Sequence, residues 1–372
     1  MKLLVLAQIP PPLHGQSLMV QTLVTGLPAH GIAVHHINLG LSRDAADIGR
    51  WRLGKIFTVL VACARAVVAR FQHGCDTLYY VPAPGKRGAL YRDWLVMLLC
   101  RPFFTRLVLH WHAAGLGEWL ATGATAPERW LTNLFLGRAD LAIVLGEALR
   151  EDIAGLAARR TSVIRNGIVD PCPGFARTPD RAGATRTAVF LGLCVPEKGM
   201  LDAIEAIGLA NAGAPERAWQ LVLAGDFPEP AFAEKISAVA RDSGGSIRCA
   251  GFITGLAKHT LLSTADALVF PTYYAAETQG LVVAEALAYD LPLIVTNWRA
   301  VAESLPPTHV HVVPPRSPAE IAHALAAIAQ AGSPVGALRR HFLSHYTCDR
   351  FLARMAAALQ EISPVKQVIG RG

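Results

Sequence analysis

Two carboxylates, Glu277 and Glu285, stand eight residues apart in the segment YAAETQGLVVAEALAYDLPLIV, Tyr274 to Val295. The apolar run Leu268-Val269-Phe270-Pro271 predicts a buried strand, Thr272 to Gly280 a loop, Leu281 to Tyr289 a helix and Leu293 to Thr296 the next strand. Glu277 is thus expected on a loop at the carboxyl end of a strand, and Glu285 about one turn inside the following helix. In an open parallel α/β sheet that edge is where ligands bind. The plain alternative is a loop charge and a solvated helix residue.

Three further segments have residue types suited to an anion or a proton. In FLGLCVPEKG, Phe190 to Gly199, a glycine turn ends a strand and Lys198 stands just before a helix, where backbone amides and a full positive charge could hold a phosphate. In TLYYVPAPGKRGALYRDW, Thr77 to Trp94, a glycine loop with Lys86 and Arg87 precedes a helix start with Arg92, again suited to an anion. In LVLHWHAAG, Leu107 to Gly115, His110 and His112 end a strand and would share one of its faces. Each has an ordinary counterpart: a βα turn with a solvated lysine, a surface loop, a hydrogen-bonded structural histidine. No third ligand joins the histidines at metal-binding spacing, and no Asp-x-Asp occurs, so no metal is expected. After the first strand, IPPPLHGQS from Ile9 to Ser17 offers Gly15 for close backbone approach and Ser17 as a helix cap, but lacks the dinucleotide fingerprint, which argues against nicotinamide chemistry.

These segments need elements to hold them. The first half alternates short apolar runs with helical patterns, which predicts right-handed βαβ crossovers and a mostly parallel, doubly wound sheet. Its expected elements are Lys2–Ala7, Ser17–Leu27, Ala33–Asn38, Ile56–Phe71, Thr77–Val81, Leu90–Cys100, Leu107–Trp111, Pro127–Leu136 and Leu141–Val144. A strand from Thr161 into Asn166-Gly167 ends this series, and Val169 to Arg186, rich in Pro, Gly and Arg, is the best linker. A second series then begins at Ala188. Two Rossmann-like domains are expected, 1–168 and 169–344, facing each other across a cleft, with a terminal helix at about 345–372 packing back on the first.

The chain has 372 residues, and only 17% are charged. No run reaches the ~18 apolar residues of a membrane span. Ile56 to Val68 and Trp94 to Cys100 come nearest and are expected to be buried or interfacial helices. Seven scattered cysteines without a CxxC pair, and a start without a cleavage site, fit a reduced cytoplasmic protein. The net charge of +7 is uneven: residues 1–170 carry 18 Lys/Arg against 11 Asp/Glu, whereas 171–372 carry 17 against 17. A basic half fits a phosphorylated substrate or an anionic membrane surface. Nucleic acid is not expected, because no interleaved aromatics and no zinc-finger or helix-turn-helix spacing accompany the charge.

In order, the motifs resemble the retaining glycosyltransferases of glycosyltransferase family 4, which have the GT-B architecture of two facing Rossmann-like domains. The resemblance rests on IPPPLHGQS, on Val163-Ile164-Arg165-Asn166-Gly167, on Phe190 to Gly199, on Gly225-Asp226, on Gly251-Phe252 and on Glu277 to Glu285. It implies transfer of a sugar from a nucleotide diphosphate-sugar, with retention of configuration and no cofactor. It implies a donor site of Gly15, Gln16, Gly192, Lys198, Gly225, Phe252, Glu277, Thr278, Gln279, Gly280, Leu281 and Glu285, in which Glu285 holds the ribose hydroxyls. Lys198, Glu277 and His112 would be the catalytic residues: Lys198 neutralising the departing diphosphate, Glu277 and its loop meeting the donor sugar, His112 contacting that sugar near the acceptor.

Three departures stand out. Leu193 or Cys194 occupies the place of the usual diphosphate-binding arginine, Gln279 replaces a phenylalanine, and Asn297-Trp298-Arg299-Ala300 replaces a Gly-Gly turn. For the acceptor, His14, Lys86, Arg87 and Arg92 are the expected binding residues, the last three meeting the phosphates of a glycan on a polyprenyl diphosphate at the inner membrane surface, as suits bacterial exopolysaccharide or lipopolysaccharide synthesis. A sugar-nucleotide epimerase or hydrolase, and a sugar-nucleotide-binding protein without catalysis, are the alternatives.

Overall fold

The computed structural model describes residues 1–40, 53–177, 185–214, 218–332 and 334–363. Part of the expected linker, 178–184, and the end of the expected terminal helix, 364–372, lie outside the described residues. The chain divides into two compact units, one of Met1–Arg165 together with the chain from Asp349, the other of Asn166–Cys348.

The first unit contains β1 (Lys2–Leu6), α1 (Gly15–Gly26), β2 (Ala33–Ile37), α2 (Leu53–His73), β3 (Thr77–Tyr80), α3 (Arg87–Cys100), β4 (Arg106–His110), α4 (Leu116–Thr122), α5 (Ala126–Leu136), β5 (Leu141–Val144), α6 (Arg150–Ala154) and β6 (Thr161–Val163). Its strands form one parallel sheet in the order β2-β1-β3-β4-β5-β6. Leu3 to Leu6, Leu78 to Tyr80 and Leu107 to Leu109 are buried throughout, as a sheet with both faces covered requires.

The second unit contains β7 (Arg186–Leu191), α7 (Met200–Gly213), β8 (Trp219–Ala224), α8 (Pro230–Asp242), β9 (Ile247–Gly251), α9 (Gly255–Thr264), β10 (Ala267–Phe270), α10 (Leu281–Ala288), β11 (Leu293–Thr296), β12 (Val310–Val313), α11 (Pro318–Ala331) and α12 (Ala337–His345). The last helix, α13 (Cys348–Glu361), returns to the first unit from Asp349 onward. A side chain at Gly26, the end of α1, would begin 2.3 Å from Leu352 of α13, so the two helices meet closely there.

The second sheet is also parallel, in the order β12-β11-β10-β7-β8-β9. Alternation along each strand builds two cores, one per face. Ala188, Phe190, Ala267 and Val269 pack with Met200, Ile236 and Leu325 from α7, α8 and α11. Their neighbours Val189, Leu191, Leu268 and Phe270 pack with Leu262, Leu287 and Phe342 from α9, α10 and α12. At about 1.5–3 kcal/mol per large apolar side chain buried, these cores supply most of what holds the edge loops in place.

Two sequence expectations are corrected. Residues 166–168 open the second unit rather than closing the first: the Ile168 N–H donates to Tyr346 O at 2.8 Å, the Cys348 N–H donates to Ile168 O at 3.0 Å, and these bonds tie the segment to the chain around Thr347. The same bonds keep 345–348 with the second unit. Strand β12 was not expected because its four residues VHVV are partly exposed and carry no alternation.

The carboxyl ends of β7 and β8 come so close that Gly225 has no room for a side chain; a Cβ there would stand 1.7 Å from Gly192 O. Gly225→Ala should therefore destabilise the protein by about 2 kcal/mol or more, measured as a lower urea midpoint, because the backbone itself must move to relieve the contact.

Candidate active site

In the second sheet the crossovers change direction between β7 and β10, since β8 lies on one side of β7 and β10 on the other. A crevice opens at such a point because the loops leaving the two strands diverge to helices on opposite faces. Lys198 follows β7 and Glu277 follows β10, and their side chains meet across this point in an ion pair between Lys198 Nζ and Glu277 Oε2.

The pair is held from several sides. Glu277 is 8% exposed; its carboxylate accepts from the Thr272 hydroxyl at 3.4 Å and from the Thr278 N–H at 3.3 Å. Lys198 Nζ lies 5.4 Å from the ring centre of Phe270 and 5.1 Å from that of Tyr274. Such faces attract a cation. Tyr273 N–H donates to Glu197 O at 2.8 Å and the Trp298 indole donates to Tyr274 O at 2.9 Å, which ties the Glu277 loop to its neighbours on both sides. Gly199, with φ of +75°, caps α7; a side chain on it would strike Pro271 O at 2.2 Å. The glycine in EKG is therefore demanded by the strand beside it.

Glu285 lies on α10, where the sequence placed it, and accepts from Lys258 Nζ of α9 at 2.6 Å. Lys258 was not foreseen: it stands in a helical segment without a motif, and only the packing of α9 near α10 brings it to Glu285. Gly192 and Gly225 end β7 and β8, Phe252 follows β9 and is 68% exposed, and Gly280 and Leu281 start α10. All these expected donor-site residues of the second unit stand at the carboxyl edge of its sheet.

Gln279 is placed differently from the expectation. Its side chain accepts from the Asn166 N–H at 2.8 Å and donates to Asn166 O at 3.2 Å, while the residue is 4% exposed. An amide satisfies two buried backbone groups that a phenylalanine could not, so Gln279 braces the first residue of the unit and its side chain is not open to a ligand. Of the other departures, Leu193 is exposed and Cys194 is buried, and the Arg299 guanidinium lies 5.4 Å from the Trp298 ring centre.

In the first unit, His14, Gly15 and Gln16 stand at the amino end of α1, where His14 Nδ1 accepts from the Ser17 N–H at 3.3 Å. His110 and His112 leave β4 with ring centres 4.0 Å apart, and Tyr79 OH lies 2.7 Å from His110 Nδ1. His112 is partly exposed as a residue, but both its ring nitrogens are buried. That burial, with a smaller contribution from the charge of His14, pushes its imidazole down to about 3.

The expected acceptor cations are not alike. Lys86 is exposed at the start of α3. Arg87 donates to Glu128 Oε1 at 2.9 Å and to Gly123 O at 2.7 Å, and Arg92 donates twice to the buried Asp93 at 2.9 and 2.7 Å. Asp93 also accepts from Tyr80 OH and the Ala83 N–H. Arg92 therefore balances an internal carboxylate instead of standing open to an acceptor phosphate. Among the described residues no group of three or more His, Cys, Asp or Glu side chains could hold a metal ion.

Residues 185–331 match the family model described as glycosyl transferases group 1. The chain carries a glycosyltransferase domain on a GT-B fold. Sucrose-phosphate synthase of Thermosynechococcus elongatus superposes with a TM-score of 0.72 at 18% identity, covering 97% of this chain and 99% of that one. HepE of Anabaena, solved in complex with UDP, gives 0.67 at 17% identity, with 97% and 100% covered. The lipopolysaccharide outer core galactosyltransferase WaaB, in its apo form, gives 0.69 at 14%, with 97% and 99% covered. At these identities the likeness speaks for the fold. No curated protein matches the sequence.

Two outcomes are expected from these contacts. Gln279→Ala leaves the Asn166 N–H and C=O unpaired and should cost about 2–3 kcal/mol in chemical unfolding. His112 stays neutral in the folded protein down to about pH 3, whereas the unfolded chain protonates it near 6.5. Stability should thus fall as pH drops through this window, by up to about 1.4 kcal/mol per pH unit from this residue. Melting temperatures of His112→Asn protein should then decline less steeply with acid than those of the wild type.

Proposed function

We propose that the chain is a retaining glycosyltransferase that moves a sugar from a nucleotide diphosphate-sugar to a glycan hydroxyl, with the donor at the carboxyl edge of the second sheet. The observation that carries this is the Lys198–Glu277 pair at the switch point of a sheet whose residues match the glycosyl transferases group 1 family. A cation beside the amino end of α7 suits a diphosphate, and a buried carboxylate 79 residues away in sequence suits the hydroxyls of the attached sugar. Glu285, further along α10, suits the ribose hydroxyls, and Lys258 holds its carboxylate.

In this reading the bond between the sugar C1 and the diphosphate oxygen breaks while Lys198 balances the charge growing on the leaving group. The acceptor oxygen attacks C1 from the same face, and its proton passes to a departing phosphate oxygen, so the anomeric configuration is kept. No step draws on a metal or an organic cofactor, since a positive side chain and helix amides can meet the leaving group. HepE, a neighbour in fold, was solved with UDP and with UDP-glucose, which supports a nucleotide-sugar as the donor class. The uneven charge supports an acceptor glycan carried on a polyprenyl diphosphate, in surface-polysaccharide synthesis at the inner face of the cytoplasmic membrane.

The test is a thermal-shift panel of UDP-, GDP- and ADP-sugars, followed by transfer assays with NMR of the product's anomeric carbon. One donor should stabilise the protein and yield product of unchanged configuration. Lys198→Ala and Glu285→Ala should each lower kcat/KM about a hundredfold or more. Full activity in both would overturn the site, and inverted product would overturn the mechanism.

A further inference from the structure

Helix α2 is apolar on two sides. Val59, Ala62, Cys63, Ala66 and Ala69 are buried, as a helix lying on a sheet requires. On the opposite stripe Phe57, Leu60, Val61, Val68 and Phe71 are exposed, at spacings that keep them on one face. Phe57 is 70% exposed and Phe71 68%, well beyond the chance exposure of an occasional large apolar residue. The helix carries Lys55, Arg65 and Arg70 and no acidic residue.

The stripe continues onto the neighbouring helices, since α2 packs beside α3 and α3 beside α5. Phe103, just after α3, meets Phe71 edge-on with ring centres 6.3 Å apart. Leu98 of α3 and Trp130 and Leu134 of α5 are exposed as well, Trp130 at 63%. Two arginines fasten these pieces together: Arg70 Nε donates to Phe103 O at 3.0 Å, and Arg101 donates to Phe135 O at 2.7 Å. Both spend donors on carbonyls rather than on carboxylates, and Arg70 also lies 5.7 Å from the ring centre of Phe71.

We propose that the outer faces of α2, α3 and α5 dock on an anionic lipid bilayer. An aromatic and aliphatic face with basic residues at its margin fits the boundary between headgroups and acyl chains, where Trp and Phe insert and Lys and Arg reach the headgroup phosphates. None of the helices is long and apolar enough to cross a membrane among the described residues, so the face lies on the surface. Charge selects the occupant. The segment 1–170, which holds these helices, carries all of the net +7, so a second copy of this chain would bring the same excess, whereas an anionic surface complements it. The inference deepens the lipid-linked acceptor reading, yet its evidence is independent of the donor site.

Co-sedimentation with vesicles separates the outcomes. Full-length protein should bind vesicles of phosphatidylglycerol and phosphatidylethanolamine, bind phosphatidylcholine vesicles about tenfold more weakly, and lose most binding when salt is raised to ~0.5 M. Phe57→Asp with Phe71→Asp, two exposed positions, should lower partitioning about tenfold or more while the melting temperature stays near that of the wild type. Glu285→Ala protein should bind vesicles as the wild type does, so loss of the donor reading and loss of this one are told apart. Equal binding of the double variant, or no binding of the wild type to anionic vesicles, overturns the proposal. So does a dimer in sedimentation velocity that the double variant dissociates, since the face would then belong to a second copy.

Discussion

The second unit depends on a seam. At the point where its parallel sheet changes winding direction, the chain leaving β7 and the chain leaving β10 must part toward opposite faces while their strands remain hydrogen-bonded neighbours. One close approach makes this possible, Gly199 against Pro271, and it tolerates no side chain; on the other flank of β7, Gly225 stands as tightly against Gly192. Only with the backbone brought so near can Lys198 reach Glu277. The ion pair is then sheltered by Thr272, Phe270 and Tyr274, so the two charges are fixed by the core beneath them and not by loop chance. A buried pair of this kind adds little net stability, because desolvation offsets much of the attraction. Its significance is positional.

Much of this was legible in the sequence because strand ends carry their own punctuation. The runs of apolar residues, the Gly192, Gly199 and Gly225 turns and the helix that opens at Leu281 each follow from local rules, and parallel order follows from their alternation. Glu277 and Glu285 could be placed on a loop and a helix by the same rules. What could not be read was anything decided by distance in space. Lys258 meets Glu285 only because α9 and α10 pack side by side, and Gln279 reaches back 113 residues to Asn166. Arg92 looked like an open cation, but its neighbour Asp93 faces inward, and a chain of letters does not show which of two adjacent charges is buried.

The first unit shows the opposite case, in which composition alone was informative and motif logic was not. A helix with few charges, all positive, is expected either inside a protein or at an interface. The structure divides the helix between two surroundings: one face of α2 is in the core and the other is exposed. By contrast, the cationic loop before α3 looked like an anion site, yet Arg87 there is committed to Glu128 and Gly123.

The pairing of Lys198 with Glu277 also sets what a ligand must bring. An anion arriving alone could draw the ammonium away, but it would strand a carboxylate that is almost wholly shielded from water. A neutral sugar arriving alone could bond the carboxylate but offers nothing to the cation. Only a molecule carrying both a phosphate and hydroxyls, at the right separation, can replace the partner of each. In the function proposed above, such a site acts as a coincidence detector, answering a phosphate and a sugar when the two are joined.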